Sequence, residues 1–226
     1  MESVQIILAG NTYLYKLFQN IFGNTPSIAQ LEILNGDMTE EALDIFKSED
    51  NVKFVKSIQQ LKVFGEYFKN DKEAILELLT GEYTHLLIGP NKMPAPPWES
   101  VFRSEERLLF QESTLEIRRY YLKYGFIPAG YPHVADDHLA LELDFMASLS
   151  SLAEKAYANE DFNQLQEILQ VQEDFLTSHL LFWVPEFARK IQESDTHYLY
   201  PDMACLLNEF LQIQTDVIDE IKFALQ

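Results

Sequence analysis

The sequence predicts an all-α fold, a single globular bundle of about 8–10 helices. Long segments carry apolar residues at three- and four-residue spacing, and no segment alternates apolar and polar residues as a half-buried strand does. Only 8 of the 226 residues are glycine, whereas 47% are hydrophobic and 13% are aromatic. A chain of this length and composition can bury a sizeable core and suits one domain, residues 1–226.

The N-terminal part is predicted to form helices separated by short capped turns. Residues 4–22 have apolar side chains at helical spacing, and we expect this helix to stop at Gly23. Thr25 and Pro26 predict the next helix start, because threonine is a frequent N-cap and proline fits a first helical turn. Thr39 is the expected cap of a third, shorter helix.

Helical spacing resumes over residues 51–69, and Asp71 is expected to cap a further helix that runs to about Leu87. The stretch 89–97 contains four prolines and one glycine, so it must be a loop. Residues 104–124 are again amphipathic and precede a glycine.

A second break, "GFIPAGYPHVA" at residues 125–135, holds two prolines and two glycines and is predicted to be a hinge. It would join an N-terminal helical half, about 1–124, to a C-terminal half, about 136–226. The C-terminal half is predicted to contain three helical segments: about 136–158, from Asp161 through the 180s, and about 202–225, introduced by Pro201.

The charge balance is strongly acidic, with 36 Asp and Glu against 17 Lys and Arg, a net charge of −19. Nucleic-acid binding requires a concentrated basic surface, so this class of partner is not expected. The charge also disfavours an anionic membrane surface, and no apolar run approaches the ~20 residues of a membrane span. We therefore expect a cytoplasmic protein without stable membrane insertion. The acidity serves either solubility alone or attraction of a basic partner.

The stretch "YPHVADDHLALELDFM" is the densest group of polar candidates. Asp136 is the expected N-cap of the helix that follows. His138 and Glu142 are four residues apart and share one helix face, which could hold a divalent metal. A metal site in a helix bundle usually takes matching ligands from facing helices, and no second such motif occurs, so no metal is predicted.

The remaining candidates are aromatic. His179 and Trp183 share a helix face next to Pro185, a pattern typical of a core tryptophan and a hydrogen-bonded histidine at a helix bend. Trp98 follows two prolines and either fills the core or lines an apolar groove. The lone cysteine, Cys205, excludes an internal disulfide. No nucleophile motif and no phosphate-binding loop occurs, so no catalytic residue and no cofactor are predicted.

Three segments in this order resemble the TorD/DmsD family of cytoplasmic redox-enzyme maturation chaperones, and distantly the NarJ group. They are "YTHLLIGPNKMPAPPWES" (83–100), "PHVADDHLALELDFM" (132–146) and "FLTSHLLFWVPEFARKI" (175–191). The family patterns are Y-x-x-L-F-x-G-P with P-P-W-x-S, then E-x-x-D-H-x-x-x-E-L-x-F-M, and F-x-x-x-H-L-x-x-W-x-P-x-F. Two positions differ: Leu87 replaces a frequent phenylalanine, and His133 replaces a frequent glutamate.

The resemblance implies a chaperone that binds the twin-arginine signal peptide, or the apo form, of a molybdoenzyme and delays export until the cofactor is inserted. It implies Asp137 as the partner of an arginine, with His138 beside it. The full set of implied peptide-binding residues is Tyr83, Leu86, Leu87, Pro97, Trp98, Asp136, Asp137 and His138. The implied structural motif residues are Gly89, Pro90, Glu142, His179, Trp183 and Pro185. Similar proteins occur as monomers or exchange halves in domain-swapped dimers.

Two other functions are compatible with the residues themselves. A metal-dependent helical hydrolase would use His133, Asp137, His138 and His179. An acidic structural subunit of a larger complex would bury Trp98 and Trp183 at an interface.

Overall fold

The computed structural model describes residues 2–89, 92–103, 112–128 and 134–225. These residues are helical almost throughout, and the only β contact among them is one isolated antiparallel bridge between Trp98 and His138. The all-α prediction is therefore confirmed. The α-helices are α1 (Glu2–Gly23), α2 (Ile28–Leu34), α3 (Asp37–Asp44), α4 (Val52–Asn70), α5 (Lys72–Tyr83), α6 (Glu99–Arg103), α7 (Glu112–Lys123), α8 (Leu139–Ala158), α9 (Phe162–Phe175), α10 (Leu181–Gln192) and α11 (Tyr200–Ala224).

Helix starts follow local capping chemistry, but the predicted caps of α2 and α3, and that of α8 described below, are wrong. Asp71 caps α5 as predicted, because its carboxylate accepts the N–H of Ala74 at 3.0 Å. The predicted start of α2 at Thr25 is wrong: Ser27 caps this helix, and its side chain and that of Gln30 exchange hydrogen bonds with each other's backbone. This reciprocal capping box satisfies two free N–H groups, which a lone threonine could not do.

The predicted cap of α3 is wrong as well. Gly36 occupies the N-cap position, and Thr39 lies within the helix, where its Oγ1 donates to the carbonyl of Ile33 at 2.7 Å. Thr39 is buried, so its hydroxyl needs this partner, and the bond joins the end of α2 to the first turn of α3.

Two helices end in a wider, π-helical turn. Residues Thr84–Ile88 continue α5, and Leu176–Leu180 connect α9 to α10. Gly89 ends the first of these turns with φ 98°, a left-handed conformation that glycine adopts without strain. The second π turn lies just before Pro185, whose nitrogen cannot donate to a carbonyl one turn earlier. Pro185 itself lies inside α10, so the helix continues through the position where a bend was predicted.

The core forms where α1 packs along α8, and where α4 and α10 pack against α11. Phe210 of α11 lies at its centre, with ring centroids 5.1 Å from Tyr15 and 5.5 Å from Phe18. Gly23 allows the close approach of α1 and α8, because a Cβ at this position would lie 2.6 Å from Cβ of Ala140. Helix packing thereby fixes the first turn of α8, which lies within the second sequence motif.

Helices of the two predicted halves pack directly against each other, α1 on α8 and α4 on α11. The hinge over 125–135 stays a prediction, and its residues 129–133 lie outside the described part of the chain. None of the described helices combines the length and apolarity needed to cross a membrane.

Candidate functional site

The three family motifs meet where the proline-rich loop joins the N-terminus of α8. The N–H of Leu139 donates to the carbonyl of Pro97 at 2.9 Å, and the N–H of Glu99 donates to the carbonyl of Asp137 at 3.0 Å. A third bond runs from the N–H of Ser100 to Oδ2 of Asp137, at 2.9 Å. We call the residues gathered here the motif cluster: Trp98, Glu99, Ser100, Asp136, Asp137, His138, Glu142, His179 and Trp183.

Asp137 is completely buried, with 0% of its surface exposed. Its Oδ2 accepts from Ser100, but its Oδ1 has no hydrogen-bond partner among the described residues. A buried carboxylate oxygen without a donor is costly, since it has lost its water and gained nothing in exchange. The site therefore holds an acceptor that a further donor would stabilise.

Asp136 is not the N-cap of α8, contrary to the sequence prediction. Its Oδ2 accepts from Nε of Arg118 at 2.6 Å, and its carbonyl accepts the hydroxyl of Tyr121 at 2.9 Å. Both partners lie on α7, so Asp136 ties α7 to the start of α8. Its carboxylate is buried and already neutralised by a guanidinium.

His138 is the residue that caps α8. Its Nδ1 accepts the N–H of Ala140 at 3.1 Å, which leaves the ring proton on Nε2. Burial lowers the pKa of His138 to about 4, so the ring is neutral near pH 7. The ring stands edge-to-face against Trp98 at 5.4 Å, and both side chains are partly exposed. These two rings form the accessible margin of the motif cluster.

Behind this margin lies a buried charged group centred on Glu99. Its carboxylate accepts from Nε of Arg103, and its Oε2 lies 3.1 Å from Nδ1 of His179. Glu99 is 0% exposed and His179 is 1% exposed. Arg103 also donates to the carbonyl of Ser178, so the short helix α6 is fixed to the π turn before α10. A buried carboxylate is tolerated here because Arg103 and His179 both contact it.

Glu142 is a second fully buried carboxyl group, and its Oε2 accepts the indole N–H of Trp183 at 3.1 Å. Burial, and then the negative charge of Glu99, raise the pKa of Glu142 well above its ordinary value. The environment therefore favours the neutral, protonated form of Glu142. Trp183 is completely buried against Phe102, at a ring distance of 5.2 Å.

The other residues of the implied site lie beneath the surface. Tyr83, Leu86 and Leu87 belong to the end of α5 and its π turn, and all three side chains are buried. Pro97 is buried as well. Pro90 and His133 lie outside the described residues. The assignment of a peptide-binding role to these positions stays a prediction.

Several residues that build the cluster were not predicted from the sequence: Glu99, Ser100, Arg103, Arg118 and Tyr121. Glu99 is as deeply buried as Asp137, yet it follows a tryptophan at a helix start, where glutamate is common for capping reasons alone. Within the described residues no group of three or more His, Cys, Asp or Glu side chains could hold a metal ion. His138 and His179 instead bond to a backbone N–H and to a carboxylate.

Comparison with known proteins identifies the family. The family model described as "Nitrate reductase delta subunit" matches residues 53–189, more than half of the chain. The chain belongs to this family, which includes the TorD chaperones. The protein from Vibrio cholerae serotype O1 called "Chaperone protein TorD" is 31% identical over 68% of this chain and 67% of its own length. A second TorD chaperone, from Vibrio parahaemolyticus, is 23% identical over 95% of this chain and 97% of its own.

A solved structure described as a redox enzyme maturation protein, from Archaeoglobus fulgidus, aligns with 89% of this chain and 93% of its own, at 22% identity and a TM-score of 0.49. Membership of the TorD family makes this chain a chaperone and not a catalytic enzyme. The hydrolase interpretation is therefore wrong. The structural-subunit interpretation fails for Trp183, because this side chain is buried within the chain itself.

Proposed function

We propose that this TorD-family protein is a cytoplasmic chaperone that binds the twin-arginine signal peptide, or the apo form, of a molybdoenzyme. It would assist cofactor insertion and delay export until insertion is complete. The observation that carries the proposal is the state of Asp137, a buried carboxylate with one oxygen unpartnered, directly beside the partly exposed rings of Trp98 and His138.

Arginine suits this site better than lysine does. Its planar guanidinium offers several N–H groups in fixed directions, so one arginine could donate to Oδ1 of Asp137 and still reach a second acceptor. Asp136 is a poorer candidate, because Arg118 already occupies its Oδ2. The protein's net charge of −19 would attract the basic end of a signal peptide from a distance.

The arginine can reach Asp137 only if the segment Pro97–Ser100 moves away from α8. Three hydrogen bonds hold this segment, and their donors are the backbone N–H groups of Leu139, Glu99 and Ser100. Breaking all three costs on the order of 3 kcal/mol. The same movement would expose Pro97, which is buried, to the apolar part of the peptide. The opening cost keeps the complex weak, which suits a chaperone that must release its client.

The experiment starts by identifying the client. The wild-type chain serves as bait in cytosol from the source organism, and captured proteins are identified by mass spectrometry. A molybdoenzyme precursor is expected. Its synthetic signal peptide is then titrated by calorimetry against the wild type and Asp137→Asn. Loss of the charge-assisted contact should weaken binding about tenfold or more. A peptide with lysine in place of both arginines should bind the wild type about as weakly as the original peptide binds Asp137→Asn.

The outcomes separate function from site. If no redox-enzyme precursor is captured, and no twin-arginine signal peptide of the source organism binds the wild type, the proposed function is wrong. If the peptide binds Asp137→Asn as tightly as wild type, the function stands and the site assignment falls. Affinity that does not decrease as salt increases would argue against any role for the arginines.

The oligomeric state is part of the proposal. The chain would be a monomer or a domain-swapped dimer, because exchange at residues 125–135 would preserve the contacts of α1 with α8 and of α4 with α11 between two protomers. Light scattering over a range of concentrations measures which form is present.

A further inference from the structure

A second surface, remote in sequence from the family motifs, has the features of a binding groove. It lies between the N-terminal part of α1, the connection from α3 to α4, and the C-terminal half of α11, and encloses about 550 Å³. We call it the α1–α11 groove. Its lining residues include Ile7, Ile45, Phe46, Glu209, Ile213, Asp216, Val217 and Glu220. It contains none of the motif-cluster residues, so the two proposals can fail independently.

The floor of the α1–α11 groove is formed by apolar side chains that pack against α1 and α11. Phe46 is buried and stands edge-to-face against Phe210 of the central core, at a ring distance of 5.5 Å. Ile45 lies close to α1, because a Cβ on Gly10 would be only 2.8 Å from its Cδ1. Ile7 and Ile45 are partly exposed toward the groove. Apolar side chains that are already packed in this way can accept apolar groups with little ordering cost of their own.

One wall carries a row of carboxylates. Glu209, Asp216 and Glu220 are seven and four residues apart on α11, so they lie on one face of the helix. None of the three has an ion-pair partner within the described residues. Asp216 and Glu220 repel each other at i,i+4 spacing, which destabilises the helix slightly. A cationic partner would remove this repulsion.

The carboxylates that line another groove on this protein do have ion-pair partners. A smaller groove between α3 and α4 is also lined by carboxylates, but these are neutralised internally: Glu40 pairs with Lys62, and Glu66 pairs with Lys69 at 2.9 Å. In the α1–α11 groove, the lining residue Lys47 pairs with Asp44, and in the described part of the chain no cation pairs with the α11 carboxylates; Glu209 accepts only from the side-chain amide of Asn208. The two grooves differ in unsatisfied negative charge.

We infer that the α1–α11 groove binds a cationic amphipathic helix of a partner protein, with basic side chains along α11 and aliphatic side chains on the floor. The carboxylate row extends over about 16 Å, close to three helical turns. Phe223, 78% exposed, continues the same face of α11 beyond Glu220 and would cover the end of the bound helix. A second copy of this chain is a poor occupant, because each copy carries a net charge of −19.

The test uses a synthetic probe. A fluorescein-labelled peptide of about 15 residues, with arginine and leucine at helical spacing, is titrated by anisotropy at physiological ionic strength. A peptide of the same composition in scrambled order is the negative control. The groove variant is Glu209→Gln/Asp216→Asn/Glu220→Gln. Its matched control is Glu77→Gln/Glu167→Gln/Asp195→Asn, three exposed carboxylates elsewhere, with the same change in charge.

The groove variant should bind the amphipathic probe about tenfold more weakly than wild type, and the control variant should change the affinity less than about twofold. Phe223→Ser should also weaken binding, whereas Tyr67→Ser, at another exposed aromatic residue, should not. Equal losses in both triple variants would overturn the inference, since the attraction would then come from net charge alone. So would tight binding of the scrambled peptide, absence of binding, or self-association of the wild type that the groove variant abolishes.

Discussion

The N–H of Ser100 donates to Oδ2 of Asp137 across 37 residues of sequence, at a distance of 2.9 Å, with both residues completely buried. This bond connects the proline-rich motif to the aspartate–histidine motif. It also uses one oxygen of a carboxylate whose other oxygen has no partner in the described residues. The Asp137 side chain therefore holds the proline-rich loop against α8 through Oδ2, while its Oδ1 is available to accept a hydrogen bond from a ligand.

Asp137→Ala is expected to lower the free energy of unfolding by about 1–2 kcal/mol, because the buried N–H of Ser100 loses its acceptor. Asp137→Asn should be at least as stable as wild type, since the amide oxygen keeps that bond and the buried charge is gone. Urea denaturation followed by circular dichroism measures both. Equal destabilisation by Ala and Asn would show that the charge, and not the hydrogen bond, stabilises this junction.

Glu142→Gln is expected to remove a pH dependence of stability. Because the pKa of Glu142 is raised in the folded protein, the folded state binds a proton that the unfolded state releases above its ordinary pKa of 4.5. The wild type therefore loses stability, relative to Glu142→Gln, as pH rises from about 4.5 toward the raised pKa. Below 4.5 both states are protonated and the difference should be constant. Glutamine still accepts the Trp183 N–H.

Denaturant unfolding of the two proteins at several pH values tests this expectation, and the difference between them isolates the contribution of one carboxyl group. Glu77→Gln, on the exposed face of α5, controls for the loss of a glutamate without burial. A wild type that gains stability relative to Glu142→Gln on going from pH 5 to pH 8 would contradict the assignment, because it would require a folded-state pKa below 4.5.

His179→Ala is expected to be among the most damaging single changes, at about 3–5 kcal/mol. It removes one of the groups that surround the buried Glu99 carboxylate and leaves a cavity beside the ring of Phe175, 4.8 Å away. Glu99→Gln/His179→Ala should recover part of the loss, because no buried charge is then left short of partners. A double variant as unstable as the sum of the single changes would mean that the two residues are not coupled.

Two glycine substitutions should have opposite effects. Gly23→Ala is expected to destabilise the protein by about 1–3 kcal/mol, since the new Cβ would lie 2.6 Å from Cβ of Ala140 and force α1 from α8. Gly81→Ala, in the interior of α5 with no atom within 4 Å of the new Cβ, should stabilise it by about 0.5–1 kcal/mol. Thermal melts of the two variants give the sign directly.

Much of the helical architecture was predictable because helix starts and ends depend on nearby residues. Asp71 and Pro201 begin α5 and α11 as expected, since each acts on its own helix within one turn. The errors at Thr25, Thr39 and Asp136 share one cause. Several competent caps lie within a few residues of each other, and packing decides which one is used: Ser27 with Gln30, Gly36, and His138.

The sequence by itself determined the all-α class, the positions of the long helices and, through three motifs, the family. The tertiary structure decided which motif side chains are buried and what they contact. Glu99 meets His179 across 80 residues, and Trp183 meets Glu142 across 41. The α1–α11 groove likewise requires three segments far apart in the chain. Helix propensity and capping act over a few residues, whereas burial, ion pairing and the pKa of a carboxyl group depend on neighbours that only folding brings together.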